Sequence, residues 1–275
     1  MPLVQVIVLA VLQGITEFLP ISSSAHLALT PWLFGWKDQG LEFDIALHFG
    51  TLFSVLIYFF KDWLRILANG LGRPMPHVLG ADPTVDRNPR LLWYLIAATL
   101  PAGIAGLLLK DTVETTFRSP YIMGTMLILI GIVMFAAEKF AKHERKMDEM
   151  TLFDCVFIGF AQALALVPGT SRSGITMTAG LFRNLDRATA ARFSFLLSTP
   201  IVVAAALKGI VDLRKHGGLE GGEALPVAIG IAVTAVTGCF VISFLLKFLR
   251  ANSVLPFVIY RIAFGILVLA LAATR

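Results

Sequence analysis

Charged side chains are scarce in this chain of 275 residues. Asp, Glu, Lys and Arg make up 15% of the sequence, whereas hydrophobic residues make up 57%. A soluble domain averages about 25% charged residues, and the mean hydropathy here is +0.79. This shortage of charge excludes a soluble globular domain and indicates an integral membrane protein. Because the apolar runs are far longer than barrel strands, we expect an all-α polytopic protein rather than a closed barrel.

Cysteine is also rare, since the sequence holds only Cys155 and Cys239. Both lie in apolar runs, where a small buried hydrophobe is a simpler interpretation than a disulfide. The net charge of +5 does not indicate a nucleic-acid partner, because the basic residues flank apolar spans and there serve to orient a membrane protein. We therefore expect contacts with membrane lipids and no nucleic acid.

The apolar runs predict six ordinary spanning helices, because each approaches the roughly 20 residues that a bilayer requires. They lie at 43–60, 91–109, 121–137, 193–211, 226–246 and 255–272. Two further stretches, 3–35 and 152–182, are each interrupted by a proline that hydroxyl residues follow. Proline ends a helix and serine or threonine caps the next one. Each of these two stretches therefore predicts a re-entrant helix-loop-helix hairpin.

The two hairpins indicate an internal repeat. A shift of 148 residues places 19–23 on 167–171, so that each half becomes one re-entrant hairpin followed by three transmembrane helices. Because three is an odd number, the second half should be inverted relative to the first, as in many transporters. The predicted boundaries within a single membrane domain, 1–275, are 1–137 for repeat one, 138–151 for a cytoplasmic linker and 152–275 for repeat two.

Lysine and arginine predict the orientation of the protein in the membrane. If 61–90 is cytoplasmic, most basic residues outside the spans fall on that side, including those of 138–151 and 183–192. The positive-inside rule supports this arrangement. Both chain termini and the first hairpin then face the outside, while the second hairpin enters from the cytoplasm. The opposite side keeps Lys37, Lys110, Arg118, Lys208, Arg214, Lys215 and Arg275.

The break in the first hairpin carries polar residues that are costly inside a membrane, and such residues predict a functional site. Gln13 and Glu17 are one helical turn apart on the same face. Beyond Pro20, the next helix opens with the serines of 22–24, and His26 follows in its first turn. Oxygen ligands of this kind suit a hard cation such as Mg²⁺ or Ca²⁺, and the imidazole suits proton transfer.

The break in the second hairpin predicts an anion site. Gly169 would let the backbone approach a ligand closely, and the amides that open the next helix point toward an anion. Arg172 adds a planar charged group that matches phosphate oxygens, and Ser171, Ser173 and Thr176 can donate hydrogen bonds. The set resembles a phosphate cradle more than a carboxylate clamp, although chemistry alone leaves both open. The spacing does not match a P-loop, which argues against a soluble nucleotide.

These motifs resemble those of the undecaprenyl pyrophosphate phosphatase family, also called the bacitracin-resistance proteins. The resemblance rests on Gln13 and Glu17, on Ser-Ser-Ser-Ala-His at 22–26 and on Pro-Gly-Thr-Ser-Arg-Ser-Gly-Ile-Thr at 168–176, and it covers essentially the whole chain. Many members have glutamate where this chain has Gln13, so Gln13 is a weak candidate for a general base. The family resemblance implies that undecaprenyl pyrophosphate is hydrolysed to undecaprenyl phosphate and inorganic phosphate. It also implies a divalent cation and an active site at the outer face of the bacterial plasma membrane.

The resemblance further implies roles for the matched residues. Glu17 and Gln13 would hold Mg²⁺ or Ca²⁺, and Ser23 would attack the terminal phosphorus while His26 takes its proton. Water, activated by Glu17 or His26, is the alternative nucleophile. Arg172 would stabilise the developing charge. Contacts to the pyrophosphate are expected from Ser22, Gly169, Thr170, Ser171, Arg172, Ser173 and Thr176.

A second class of function, a lipid-phosphate flippase or transporter, also fits an inverted repeat with broken helices. Glu17, Ser23 and His26 favour catalysis, because a carrier would not need that set. The phosphatidic acid phosphatase type is discounted, since no histidine follows Arg172 at the distance that its Ser-Arg-x5-His motif requires.

Three polar residues outside the motifs are interpreted as structural. Asp44 and His48 lie one turn apart near the start of a span and could reach the outer cavity. Arg261 lies within the last span and belongs to no motif. The sequence leaves the oligomeric state open, with a homodimer among the alternatives.

Overall fold

The structure is a computed structural model that describes residues 1–73, 82–109, 119–215 and 224–274. Within those ranges the regular structure is helical, apart from one isolated bridge between Arg145 and Leu185. The all-α polytopic fold class is thus confirmed. Three of the basic residues predicted on the outer side, Lys110, Arg118 and Arg275, lie outside the described residues.

Twelve α-helices follow one another along the described residues. In order they are α1 (Leu3–Thr16), α2 (Ser23–Phe34), α3 (Gly40–Tyr58), α4 (Phe60–Gly70), α5 (Pro83–Asp86), α6 (Leu91–Leu108), α7 (Pro120–Phe140), α8 (Leu152–Ala163), α9 (Arg172–Phe182), α10 (Arg187–Lys215), α11 (Ala224–Leu249) and α12 (Leu255–Thr274). Two short 3₁₀ helices, Met147–Glu149 and Leu164–Leu166, precede and follow α8.

The predicted spans correspond to α3, α6, α7, α10, α11 and α12. Of these, α6, α7, the Arg187–Ala205 part of α10, α11 and α12 are each long and apolar enough to cross a bilayer. The span predicted at 43–60 corresponds to α3, which ends at Tyr58. The chain then bends by 74° and continues as α4, and α3 and α4 together form the remaining candidate span. Helix α4 buries Asp62, Arg65 and Ile66 on one side. Its charged residues resemble a loop in the sequence, whereas in the fold they mark an amphipathic helix.

Both predicted hairpins are broken where proline and hydroxyl residues occur. Ser22 begins the second half of the first hairpin with φ 77°, and Ser171 begins the second half of the other with φ 70°. Positive φ is uncommon for serine, and strained residues of this kind cluster at functional sites. Each serine shares a 3.2 Å hydrogen bond with the serine two residues later, Ser24 or Ser173.

This local geometry equates Ser22 with Ser171, a shift of 149 residues rather than the predicted 148. The additional residue lies in the second break, where Gly169 adopts φ 93°. The predicted shift aligned Pro20 with Pro168 because the residues are identical. In the structure, however, the second break has one more residue than the first between its proline and the start of the next helix. Sequence alignment alone could not detect this difference.

The two halves of the chain pack into each other. Helix α1 of the first half lies on α11 of the second, and α8 of the second lies on α6 of the first. Helix α3 also lies on α11. Their close approach requires glycine at position 50, because an added Cβ would lie 2.7 Å from the carbonyl oxygen of Ile231. Packing of helices from one half against helices from the other is expected of two related halves. The inverted orientation of the second half stays a prediction.

The three loops predicted to share the cytoplasmic side contact one another. Arg192 pairs with Asp82 at 3.1 Å, and the side-chain amide of Asn88 donates to the carbonyl of Met147 at 3.2 Å. Burial raises the pKa of the Asp82 carboxyl, but Arg192 and Thr84 together hold that pKa below its ordinary value. These contacts gather the basic loops on one face of the protein.

Candidate active site

The two helix breaks meet inside the protein, and an ion pair joins them. The guanidinium Nη2 of Arg172 lies 2.7 Å from Oε1 of Glu17, and both side chains are largely buried. Arg172 also donates to the carbonyl of Ser194 at 3.1 Å, and Ser173 donates to the carbonyl of Leu19 at 3.1 Å. Residues predicted for phosphate binding and for catalysis are therefore in direct contact although 155 positions separate Arg172 from Glu17.

Hydrogen-bond donors surround the other oxygen of the Glu17 carboxylate. Oε2 accepts from the hydroxyl of Ser23 at 2.5 Å and from the side-chain amide of Gln13 at 3.1 Å. The Nε2 atom of His48 lies 3.7 Å from the same oxygen. Such a cluster satisfies a carboxylate that would otherwise be costly at this depth. Glu17 therefore links the predicted metal ligand, the predicted nucleophile and the predicted phosphate-binding arginine.

His26 is oriented by partners other than Ser23. Its Nδ1 lies 2.7 Å from the carbonyl oxygen of Ser22, and its Nε2 lies 2.7 Å from the hydroxyl of Tyr260. Because a carbonyl only accepts hydrogen bonds, Nδ1 carries the hydrogen, and in the neutral imidazole Nε2 then accepts one from the tyrosine. The ring also stacks on Phe264, with centroids 4.6 Å apart. The hydroxyl of Ser23 is bonded to Glu17, so the geometry favours Glu17 over the predicted His26 as its proton acceptor.

Tyr260 was not among the predicted site residues. It lies 234 positions from His26 and in an apolar span, where a tyrosine has no distinguishing signal. Only the fold brings it to the imidazole.

The hydroxyl groups of the second break shape the break itself. Ser171 caps α9 by accepting from the amide of Gly174 at 3.1 Å. Thr176 donates to the carbonyl of Arg172 at 2.7 Å and shares a 2.6 Å hydrogen bond with the hydroxyl of Ser194. Ser171 therefore stabilises the start of α9 and Thr176 bonds to the backbone of Arg172, while their contacts to pyrophosphate stay a prediction.

Gly169 is required for packing against another helix. A Cβ at this position would lie 2.6 Å from the carbonyl oxygen of Met123 in α7. Gly169 thus allows close contact with α7, while its contact with a ligand stays a prediction. The neighbouring Thr170 is fully buried, and its hydroxyl is without a hydrogen-bond partner among the described residues.

Arg261 connects both breaks, a role that the sequence analysis missed. Its side chain is completely buried and donates to the carbonyls of Pro20 at 2.9 Å, Gly169 at 3.0 Å and Thr170 at 2.9 Å. It also reaches the carbonyl of Leu127 in α7 at 3.3 Å. An arginine inside an apolar span is itself a signal of importance, but its partners could not be derived from a motif.

A cavity of about 320 Å³ opens beside this cluster. Its polar groups come from Glu17, His48, Gln162 and Arg172. The remaining wall is apolar and comprises Ile45, Phe49, Ala102, Ala165, Leu166, Ile201, Val202 and Ala205. A charged end that continues into an apolar wall suits a ligand with an anionic head and a hydrocarbon chain.

The residues fit a divalent cation that is shared with a ligand. The described residues contain no group of three or more His, Cys, Asp or Glu side chains that could enclose a metal. However, Oε1 of Gln13 is buried without a partner among the described residues, and the nitrogen of the same amide donates to the Glu17 oxygen that also accepts from Ser23. Mg²⁺ typically uses one or two carboxylates and takes further ligands from substrate phosphates. This donor set therefore suits a hard cation with phosphate as an additional ligand.

The fold is that of a polytopic membrane protein, and its cavity has a charged end that continues into an apolar wall. The chain belongs to the bacitracin resistance protein BacA family, whose sequence pattern matches residues 6–267. It is 47% identical over 272 residues to the undecaprenyl-diphosphatase of Gemmatimonas aurantiaca, with 98% of each chain covered. It is 46% identical over 270 residues to the undecaprenyl-diphosphatase of Moorella thermoacetica, again with 98% of each chain covered. The family predicted from the motifs is confirmed.

Proposed function

We propose that this protein is an integral membrane phosphatase that hydrolyses undecaprenyl pyrophosphate to undecaprenyl phosphate and inorganic phosphate. The observation that carries the proposal is the Ser23 hydroxyl bonded to Glu17, which is in turn paired with Arg172 at the polar end of an amphiphilic cavity. The activity named for the relatives supports the same reaction. This hydrolysis would recycle the lipid carrier for peptidoglycan synthesis and confer bacitracin resistance. No observation favours a flippase over a hydrolase.

In the proposed mechanism, Oγ of Ser23 attacks the terminal phosphorus and its proton passes to Glu17. The bond from that phosphorus to the bridging oxygen breaks, and undecaprenyl phosphate leaves. Water then attacks the phosphoserine, the bond from phosphorus to Oγ of Ser23 breaks, and Glu17 returns its proton to Oγ as inorganic phosphate leaves. The 2.5 Å contact between Ser23 and Glu17 supports this direction of proton transfer.

Arg172 is proposed to exchange its partner when substrate binds. In the structure its guanidinium is paired with Glu17, and phosphate oxygens offer the same planar group an alternative acceptor. Movement of the guanidinium to phosphate would stabilise charge at the reacting phosphorus and leave Glu17 free to accept a proton. The hydroxyls of Ser171 and Thr176 would keep the start of α9 in position during this exchange.

Gln13, Glu17 and Ser23 are the residues that would hold Mg²⁺ or Ca²⁺. Such a cation, when bound, would neutralise charge on the phosphate oxygens. His26 is proposed to act as a positioning residue, because it fixes the carbonyl of Ser22 directly before the nucleophile.

We place the protein in the bacterial plasma membrane with the first hairpin open to the outer face. The clustering of basic loops on one face supports this orientation, since that face would be cytoplasmic under the positive-inside rule. The substrate's head group would then be reached from the periplasmic or extracellular side.

The proposed activity is tested by supplying the purified protein in detergent with undecaprenyl pyrophosphate and Mg²⁺ or Ca²⁺. We expect release of inorganic phosphate and formation of undecaprenyl phosphate in equal amounts, with loss of both on chelation of the metal. A preparation of Arg172→Ala should be nearly inactive, whereas Arg87→Ala, which changes a largely exposed arginine, should match the unaltered protein. Folded protein that releases no phosphate under these conditions would contradict the proposal.

Ser23→Ala is expected to reduce phosphate release by about 10³-fold or more, because it removes the nucleophile. Ser24→Ala is the matched control, since the Ser24 hydroxyl faces Ser22 and the amide of Gly169 rather than Glu17. It should remain within about tenfold of the unaltered rate. Rapid acid quenching with substrate labelled in the terminal phosphate should trap label on Ser23. Near-normal turnover by Ser23→Ala would instead assign the attack to water.

A further inference from the structure

Gln162 is a buried amide without a partner at the edge of the cavity. The residue is 2% exposed, and neither its side-chain oxygen nor its side-chain nitrogen forms a hydrogen bond to any described residue. Leaving both atoms of a buried carboxamide unpaired costs free energy. A ligand that enters the cavity would relieve this cost.

Gln162 lies between the charged end of the cavity and its apolar wall. It lies in the last turn of α8, just before Ala165 and Leu166, which contribute to the apolar wall. It also lines the same cavity as Glu17 and Arg172. Gln162 is therefore a neutral hydrogen-bond donor where the charged end of the cavity gives way to its apolar wall.

The groups of a lipid diphosphate are arranged in the same order as the charged end, Gln162 and the apolar wall of the cavity. The terminal phosphate is the one transferred, the second phosphate remains on the lipid, and the hydrocarbon begins directly after it. If the terminal phosphorus lies at Ser23 and the hydrocarbon lies along the apolar wall, the retained phosphate lies between them. We infer that Gln162 is a specificity-determining residue that donates its side-chain amide hydrogens to this retained phosphate. The inference rests on the proposed function, because it assumes that a lipid diphosphate occupies the cavity.

The assignment separates two ligands of the same site. Undecaprenyl phosphate keeps the retained phosphate and should need Gln162 for binding. Inorganic phosphate occupies the position of the transferred phosphate and should not need it. A carboxamide that served only the fold would make no such distinction.

The test compares Gln162→Leu with the unaltered protein in KM for undecaprenyl pyrophosphate and in inhibition by each product. We expect KM and the inhibition constant of undecaprenyl phosphate to rise about tenfold or more, since a hydrogen bond to a charged group is lost. The inhibition constant of inorganic phosphate should stay unchanged. Because leucine removes an unpaired amide, the variant should unfold at a temperature no lower than that of the unaltered protein.

Two further variants complete the comparison. Gln162→Glu keeps the shape of the side chain and replaces the amide donor by a carboxylate, which repels phosphate. KM should therefore rise more than with leucine. This result tests the inference even if the leucine variant folds poorly. Gln5→Leu makes the same chemical change on α1, outside the cavity lining, and should leave all constants unchanged.

The possible results distinguish this inference from the proposed function. Unchanged KM in folded Gln162→Leu or Gln162→Glu, or an equal rise for both products, would overturn the role of Gln162 while hydrolysis by the unaltered protein stands. Absence of hydrolysis by the unaltered protein would overturn the proposed function and this inference together.

Discussion

Glu17→Gln is expected to lower the rate of undecaprenyl pyrophosphate hydrolysis by about 10³-fold, within the range that general-base catalysis supplies. The side chain contacts Ser23, Gln13 and Arg172 at once. Glutamine preserves the shape but removes the negative charge and most of the basicity. Ser23 then has no anionic acceptor for its proton, and Gln13 no longer shares a cation site with a carboxylate.

The same change leaves Arg172 as a largely buried cation without its ion-pair partner, so stability must be separated from catalysis. We expect Glu17→Gln to lower the unfolding temperature in detergent because an unpaired buried charge is unfavourable. The double variant Glu17→Gln with Arg172→Gln removes both charges and should recover stability but not activity. Glu42→Gln, at an exposed position of α3, is the control for loss of a carboxylate. Hydrolysis by Glu17→Gln within tenfold of the unaltered protein would refute the role of Glu17.

The helices and their breaks were predictable because both depend on local sequence. Apolar runs of sufficient length located α6, α7, α11 and α12, and proline with hydroxyl residues located both breaks. Helix α4 was missed because its charged residues resemble a loop, and their burial appears only when Asp62 meets Arg192 from the other half of the chain. Local sequence thus predicts where a helix is interrupted but not which charged residues the fold will bury.

The site was predictable in composition but not in pairing. The motifs predicted Glu17, Ser23, His26 and Arg172 because polar residues are costly in a membrane segment, and the fold brings Glu17, Ser23 and Arg172 into contact. The contacts of these residues depend on packing between distant helices. Ser23 donates a hydrogen bond to Glu17 across the first break, whereas His26 is hydrogen-bonded to Tyr260 on the last helix. Hydroxyl groups in a motif that resembles a phosphate site can form hydrogen bonds to the backbone rather than to a ligand. The sequence of the motif does not distinguish these two uses.

The cavity adds a residue that motif comparison passed over. Gln162 is one of only four glutamines in the chain, but it lies six positions before the second motif and belongs to no motif itself. Its burial without a partner becomes visible only in the packed structure. Arg261 likewise lies outside both motifs, so the contacts around the two breaks extend to α12 while the cavity lining extends to α8.

Arg261→Met is expected to lower the free energy of unfolding by about 3 kcal/mol or more, because several buried carbonyls would lose a charged donor. The guanidinium contacts Pro20 in the first break and Gly169 and Thr170 in the second, so both breaks should loosen together and hydrolysis should fall with stability. Arg261→Lys should be only partly tolerated, since one ammonium cannot match the planar set of donors.

The matched control for this change is Arg250→Met, an exposed arginine just beyond α11, which should unfold as the unaltered protein does. Thermal or denaturant unfolding in detergent compares the variants, and amide hydrogen exchange over 17–22 and 164–171 locates the effect. We expect faster exchange in both segments of Arg261→Met, because the residue that joins them is gone. Faster exchange in one break alone would show that Arg261 supports only that break and does not join the two. An unfolding curve equal to that of Arg250→Met would refute its structural role altogether.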